Sequence, residues 1–484
     1  MKPRVALQIQ SRMCQFLAAT LLIPAAVGLF YGEGVGASYA LSALAASATG
    51  FALRWGSGPT DAGSLSRREG FLAVVLAWTL MVLFGALPFW ISGDFASLAD
   101  AVFESASGYS TTGATILTDI EAMPRAHLFQ RSLAHWVGGM GIIVLSVAIL
   151  PELAVGGMQV FSAESPGIST DKLAPRIVST ARRLWTVYAG LTAVLAGLLL
   201  LGGMDLFDAV THAFSTLSTG GFSPRNASIG AYGSLYIESV VTVFMLASGI
   251  SFALHYRLLV RRQAGPLVRS AEVRLYLGIF VAFSAAIAAY LVHAGTAESV
   301  GAAVRDATFQ TAAILTTTGF GTADFDRWPD FCRYMLVLLM FLGGCAGSTA
   351  GGVKVVRVLT VFKHATVELK KLLYPTIVHP VTFGNRPVSR NAVQGILGFF
   401  LLYIITTCVA AMMVLAMGVD LVTGVTAVIS AMNSIGPGLG AVGPAGNYAS
   451  MPDGCKWVLS VCMIVGRLEI YTVFVIFTFA FWRR

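Results

Sequence analysis

Four short stretches of this chain place hydroxyl side chains beside glycine: Ser110–Thr115, Ser218–Ser223, Leu315–Thr322 and Asn433–Gly440. The third reads Leu-Thr-Thr-Thr-Gly-Phe-Gly-Thr. Such a run makes a poor helix, because glycine costs roughly 1 kcal/mol there and threonine prefers extended backbone. It suits an extended segment whose carbonyls converge and replace an ion's water shell. Superposing the four on Gly113, Gly220, Gly319 and Gly436 gives separations of 107, 99 and 117 residues, so the motif is a repeat and not an accident of one loop. The candidate ion ligands are the carbonyls of Thr111, Thr112, Gly113 and Ala114; of Ser218, Thr219, Gly220 and Gly221; of Thr317, Thr318, Gly319 and Phe320; and of Ser434, Ile435, Gly436 and Pro437.

Positioning these stretches needs a recurring frame, and the apolar segments supply one. Each stretch follows a half-length apolar helix (Leu98–Tyr109, Leu206–Leu217, Val300–Leu315, Leu421–Met432), too short for the ~20 residues a membrane span requires. A long apolar run precedes each half-helix: Gly70–Trp90, Leu184–Leu201, Leu275–His293 and Ile396–Met417. Another follows each stretch: Leu128–Leu150, Leu235–Leu259, Tyr334 onward and Trp457–Phe481. The frame predicts an N-terminal helix pair in 1–69 and four units in 70–151, 183–262, 272–365 and 391–484. Non-helical backbone at membrane depth survives only where protein buries it or it lines water. Four re-entrant loops in one chain therefore predict an all-α polytopic membrane protein, with four helix–pore-loop–helix repeats around a pseudo-fourfold axis.

Composition agrees. Of 484 residues 56% are hydrophobic and 12% charged, about half the charged share of a soluble domain, and mean hydropathy is +0.76. The net charge of +8 does not point to nucleic acid, because the charge is sorted by loop: with the N-terminus inside, 24 of the 32 lysines and arginines fall on the cytoplasmic side. Most acids, Glu104, Asp119, Glu121, Asp208, Asp324, Asp326 and Asp330 among them, are expected on the outer surface, where they would concentrate cations. No cleavable leader is evident: the run from Phe16 reads as a retained helix. The six cysteines have no CxxC spacing and read as small hydrophobes.

Two further features could carry mechanism. The run Gly343-Gly-Cys-Ala-Gly-Ser-Thr-Ala-Gly-Gly352 interrupts the last span of the third unit. It lacks the Gly-Lys-Ser/Thr ending of a phosphate loop, since Val353 precedes Lys354. It reads either as a close helix-packing face or as a flexible loop under the filter. Arg467 lies mid-span, where a charge faces protein or a wet cavity. It reads either as a structural ion pair or as a fixed positive charge in the pore. The histidines, His127 and His135 included, read as packed or interfacial residues without a matching carboxylate pair. No nucleophile–base constellation supports an enzyme. The basic loops Gly156–Arg183 and Arg357–Arg390 read as topology determinants or as a docking surface.

The four degenerate filters, the additional N-terminal helix pair and the basic inner loops resemble the TrkH/KtrB/HKT superfamily of potassium transporters, its TrkH branch most of all. The resemblance implies a single-chain version of a tetrameric potassium pore, a homodimer in the cytoplasmic membrane with both termini inside, and a cytosolic nucleotide-binding regulatory ring of TrkA type. It implies K+ as the transported ion and no covalent cofactor. It also implies that glycine at position 113 goes with potassium preference. A gate is implied at Gly343, Gly344, Gly347, Ser348, Gly351, Gly352 and Lys354, with Arg467 beneath the filter. The competing expectation is a carrier coupled to protons or sodium, which would bind its substrate in broken helices at the midplane.

Overall fold

A computed structural model describes residues 3–57, 66–148, 173–374, 381–383 and 386–483. Of the two basic inner stretches expected, Gly156–Arg183 and Arg357–Arg390, residues 156–172, 375–380 and 384–385 lie outside the described residues. Nearly everything described is helical. The strands there are two residues each, Thr382–Phe383 paired with Arg386–Pro387. Six helices are long and apolar enough to cross a membrane: Arg4–Phe30, Gly36–Ser57, Arg68–Ser92, Ser179–Leu201, Ala271–His293 and Arg390–Ala416. The first two are the N-terminal pair and the other four open the four units.

Each unit continues with a half-helix, and all four begin in the same way. Ser97, Asp205, Ser299 and Asp420 cap the first turn, each side chain accepting from a backbone N–H three residues on. The half-helices Leu98–Tyr109, Leu206–Leu217, Val300–Leu315 and Leu421–Asn433 have 12, 12, 16 and 13 residues, or about 18–24 Å. They end well inside the roughly 30 Å hydrocarbon layer.

The second spans depart from expectation. In the second unit Leu235–Ser248 and Phe252–Leu259 are bent by 108°, and in the fourth Asp453–Arg467 and Ile470–Phe477 are bent by 108°. Both had read as continuous. A run of apolar residues hides a break when the break itself is brief. Here it occupies Gly249–Ser251 in one case, and Glu469 with φ 62° in the other. The third second-span is interrupted as expected, between Asp330–Met340 and Val355–Leu373. Three of the four second spans thus break their helix, whereas Arg125–Ala148 of the first unit is continuous among the described residues.

Buried clusters join each unit to the next. Phe103 and Tyr109 of the first share a core with Val428, Met432 and Leu459 of the fourth. Leu195 and Leu217 of the second pack with Met140 and Phe309, and Ile314 and Leu339 of the third with Ile429 and Leu439. The circle closes. Four helix–loop–helix units around a pseudo-fourfold axis, plus the N-terminal pair, make up the fold.

Candidate functional site: four loops on one axis

The four loops have one backbone design. Just past each half-helix a residue adopts the left-handed conformation: Thr111 (φ 55°), Thr219 (56°), Thr317 (56°) and Ser434 (54°). The next N–H reaches back to the helix end, from Thr112 to the Ser107 carbonyl, Gly220 to Ser215, Thr318 to Ala313 and Ile435 to Ser430, at 2.8–3.0 Å. A left-handed glycine follows: Gly113 (φ 82°), Gly221 (84°), Gly319 (76°) and Gly436 (101°). A left-handed threonine or serine is strained by about 1–2 kcal/mol. Its repetition four times at one level marks a functional constraint.

This corrects the register of the second loop. Of the two adjacent glycines the sequence alignment took Gly220, whereas the backbone sets Gly221 opposite Gly113, Gly319 and Gly436. The equivalent window is therefore Thr219–Phe222: Ser218 belongs to the helix end, and Phe222 takes the place matched by Ala114, Phe320 and Pro437. With two glycines in tandem, composition alone could not say which one turns left.

The four glycines close the ring. A Cβ on Gly113 would lie 2.1 Å from the Gly220 carbonyl oxygen, one on Gly221 1.9 Å from that of Thr318, one on Gly319 1.9 Å from that of Ile435, and one on Gly436 2.8 Å from that of Thr112. Each loop rests on the carbonyl of the next, and the fourth rests on the first. The same glycines, with Arg131 and Tyr448 among others, border a cavity of about 90 Å³ on the half-helix N-terminal side.

Behind the ring, each half-helix braces the chain that leaves its filter. Three residues past the left-handed glycine, Ile116 N–H donates to Glu104 Oε2 at 3.0 Å and Leu439 N–H to Thr426 Oγ1 at 2.9 Å. With its amide oxygen facing the loop, Gln310 accepts from Thr322 N–H at 2.8 Å. In the second unit that position is Pro224, which has no N–H, and His212 Nε2 instead meets the Ser223 hydroxyl at 3.0 Å. Glu104 was expected on the outer surface. It is instead fully buried, receiving Arg131 Nε at 2.7 Å and the Thr115 hydroxyl at 2.8 Å. Glu238 and Glu272 are likewise buried within helices.

His135 is packed, as expected. Its Nδ1–H donates to the Gly108 carbonyl at 2.7 Å, its Nε2 accepts from Phe222 N–H at 3.2 Å, and its ring stacks on Phe222 with 4.3 Å between centroids. Arg131 covers the other face of Phe222 at 4.0 Å. His127 does meet a carboxylate, Asp94, at 2.8 Å, and Tyr39 at 2.7 Å, so it fastens the N-terminal pair to the first unit. In the fourth loop the Gly436 carbonyl accepts from Tyr448 at 2.8 Å.

On the other side of the ring lies the glycine-rich segment. Leu342 and Val353 bridge its ends, and Gly343 N–H donates to the Val353 carbonyl at 2.9 Å. Gly347 and Gly352 have φ 76° and 64°. A Cβ on Gly344 would stand 2.6 Å from the Gly249 carbonyl oxygen, and the Ser348 hydroxyl caps the Cys345 carbonyl at 2.6 Å. Gly351 N–H donates to the Thr317 hydroxyl at 2.6 Å, and the Thr349 hydroxyl to the Leu217 carbonyl at 2.9 Å. A Cβ on Gly351 would sit 2.3 Å from the Asn433 carbonyl. The segment therefore touches the lower ends of the second, third and fourth loops.

Two cations attend it. Lys354 Nζ bonds the Ala350 carbonyl. Arg467, 2% exposed, donates from Nη1 to the Thr349 carbonyl at 2.7 Å, and its Nε and Nη2 have no partner among the described residues. Arg357, expected in an inner basic loop, is buried instead. It pairs with Glu469 at 2.5 Å and lies 4.2 Å over the Phe399 ring.

The mouth on the opposite side carries charge. Asp208 binds Arg225 at 2.7 Å and the Tyr232 hydroxyl at 2.5 Å, and this bond holds the Arg225 guanidinium above its ordinary value. The Asn226 amide, 2.8 Å from Asp119, pulls that exposed carboxyl below its ordinary value of 3.8. Sequence reasoning missed the roles of Arg131, His135 and Tyr448, because none stands beside a filter motif in the chain, and that of Phe222, because the window set on Gly220 stopped one residue before it.

Residues 59–482 match the family model TrkH, described as a cation transport protein. The Trk system potassium uptake protein TrkH of Escherichia coli K12 is 41% identical over 483 residues, covering 99% of each chain. Its namesake from Halomonas elongata is 39% identical over 486 residues, covering both chains fully. The crystal structure of the potassium transporter TrkH from Vibrio parahaemolyticus superposes with a TM-score of 0.92 at 37% identity over all of both chains.

Proposed function

This chain belongs to the TrkH family of cation transport proteins, and on that footing we propose that it takes up potassium through the four-loop ring. The observation that carries the reading is the closed sequence of glycine-on-carbonyl contacts, from Gly113 to Gly436 and back. Loops held this tightly can present their carbonyls to one axis, where they replace an ion's hydration shell at modest cost. The half-helices end at that axis, and their partly negative C-termini favour a cation. Two hydroxyls at the lower edge, Thr111 Oγ1 and Ser434 Oγ, are buried without a partner among the described residues, which suits an ion ligand.

Gly343–Gly352 acts as the gate, and Arg467 as the charge that opposes cation passage while the gate is shut. Arginine keeps its proton through any ordinary pH change, so only movement can remove that charge. The protein works as a homodimer in the cytoplasmic membrane, with both termini inside and a cytosolic nucleotide-binding ring of TrkA type as regulator. That part of the reading rests on the family resemblance and the sorting of basic residues. The chain is a transporter and not an enzyme.

The test is rubidium-86 uptake by the purified chain in liposomes with no energy source and with sodium or lithium as competitors. Saturable flux displaced by potassium and not by sodium is expected from Arg467→Gln or gate-shortened protein. Flux that appears only with an imposed proton or sodium gradient would identify a coupled carrier instead.

A further inference from the structure

The N-terminal helix pair carries a polar face that the pore does not use. On Pro3–Phe30 the residues Gln8, Ser11, Arg12 and Gln15 follow helical spacing; on Gly36–Ser57, Ser47, Gly50, Phe51 and Arg54 do the same. The two faces meet at Gly50. Ser11 donates to the Gly50 carbonyl at 2.7 Å, Gln15 Nε2 to the Ser47 carbonyl at 3.0 Å, and a Cβ on Gly50 would lie 2.7 Å from Gln15 Nε2. This crossing forms the floor of a cavity of about 340 Å³ lined by Gln8, Ser11, Arg12, Gln15, Phe51 and Arg54.

The lining has two guanidinium groups and no carboxylate. Among the described residues no acid pairs with Arg12 or Arg54. Two like charges facing one cavity repel each other, and here both residues are exposed on the helix pair. Topology alone asks only for basic residues in loops or at helix ends. It does not explain a glycine crossing that builds a polar floor, nor Arg12 about 14 Å along its helix from Pro3. A single phosphate group between the two forks would relieve the repulsion and accept several of their N–H donors.

We propose that this cavity binds the phosphate of an anionic lipid headgroup from the leaflet that the charge sorting assigns to the cytoplasm. Its surroundings favour a lipid over a free anion. Phe51, which lines the cavity, and Trp55, one helical turn further on, are 59% and 91% exposed and would lie against acyl chains. Arg4, one turn from Gln8 on the same face, adds attraction at the rim. The other side of the same helix is fixed to the first unit by Gln10, whose amide donates to the Ala73 carbonyl at 2.7 Å.

Native mass spectrometry of the full chain in detergent tests this, with cardiolipin, phosphatidylglycerol, phosphatidylcholine or inorganic phosphate added in turn. The unaltered chain should retain the two anionic lipids in preference to phosphatidylcholine. The double variant Arg12→Gln/Arg54→Gln should lose that retention about tenfold, and Arg12→Lys/Arg54→Lys should lose less. Unchanged melting in phosphatidylcholine bilayers identifies variants that are folded. Equal retention by the unaltered chain and the glutamine variant overturns the proposal. So does displacement of the lipid by millimolar inorganic phosphate, which would define a site for a free anion.

Discussion

Gly351 N–H donates to the Thr317 hydroxyl at 2.6 Å, so the glycine-rich segment is hydrogen-bonded to the floor of the third filter loop. Thr349 does the same for the second loop, through the Leu217 carbonyl. Arg467 holds the Thr349 carbonyl from the other side. The segment cannot withdraw without breaking all three bonds. Net worth per bond is about 1 kcal/mol, and more where a charge takes part. Movement of that cost is within reach of ligand or partner binding.

Replacing Arg467 by glutamine removes the charge and weakens the hold on Thr349. Basal rubidium flux should rise several-fold, and removal of three residues from Gly343–Gly352 should raise it further. Flux equal to that of the unaltered chain in both variants would take this segment out of the gate.

Gly113→Ser should lower potassium-over-sodium preference by tenfold or more, because a Cβ there meets the Gly220 carbonyl at 2.1 Å and the second loop must yield. Gly321→Ala is the control: nothing lies within 4 Å of its added methyl group, so selectivity should stay within a factor of two of the original. Reversal potentials or competition assays measure both.

Glu104→Ala should cost about 3 kcal/mol in stability, since it strands the Ile116 N–H and leaves the buried Arg131 charge without its partner. Glu104→Gln keeps an acceptor for Ile116 and should be the milder change. Thermal unfolding in detergent ranks the two, and an equal loss would mean that the brace on Ile116 contributes nothing.

Arg357→Met alone should destabilise by about 3 kcal/mol by leaving Glu469 unpaired at the helix break, whereas Arg357→Met with Glu469→Gln should recover part of the loss. Additive losses in the double variant would show that the two residues act separately.

Acid should loosen the mouth at Asp119. Its carboxyl is held below 3.8 by Asn226, so the contribution to folding is present above the unfolded value and is lost as pH falls through the lower folded one. Asn226→Ala removes that depression, so the variant should melt lower at neutral pH and lose less on acidification, the two profiles converging in acid. Superimposable pH profiles for the two proteins would refute the assignment.

Much of this was legible in the chain. Half-helix lengths and the recurring Thr/Ser-Gly pattern are local signals, and local geometry followed them. The second filter register was not legible, because Gly220 and Gly221 are the same residue type and only packing against Thr318 distinguishes them. The broken second spans of the second and fourth units were hidden because the breaks at Gly249–Ser251 and Leu468–Glu469 are brief and sit within otherwise apolar runs. Glu104 and Arg131 lie 27 positions apart on two helices of the first unit, so their bond is a property of how those helices pack and not of either segment.

The glycine ring also has a handedness. Each loop presses on its successor, first on second through to fourth on first, and none on its predecessor by the same contact. A methyl group added to one loop therefore registers in the neighbour downstream. The four positions are links in a directed cycle, and enlarging any residue of it calls for a matching retreat in the loop that follows.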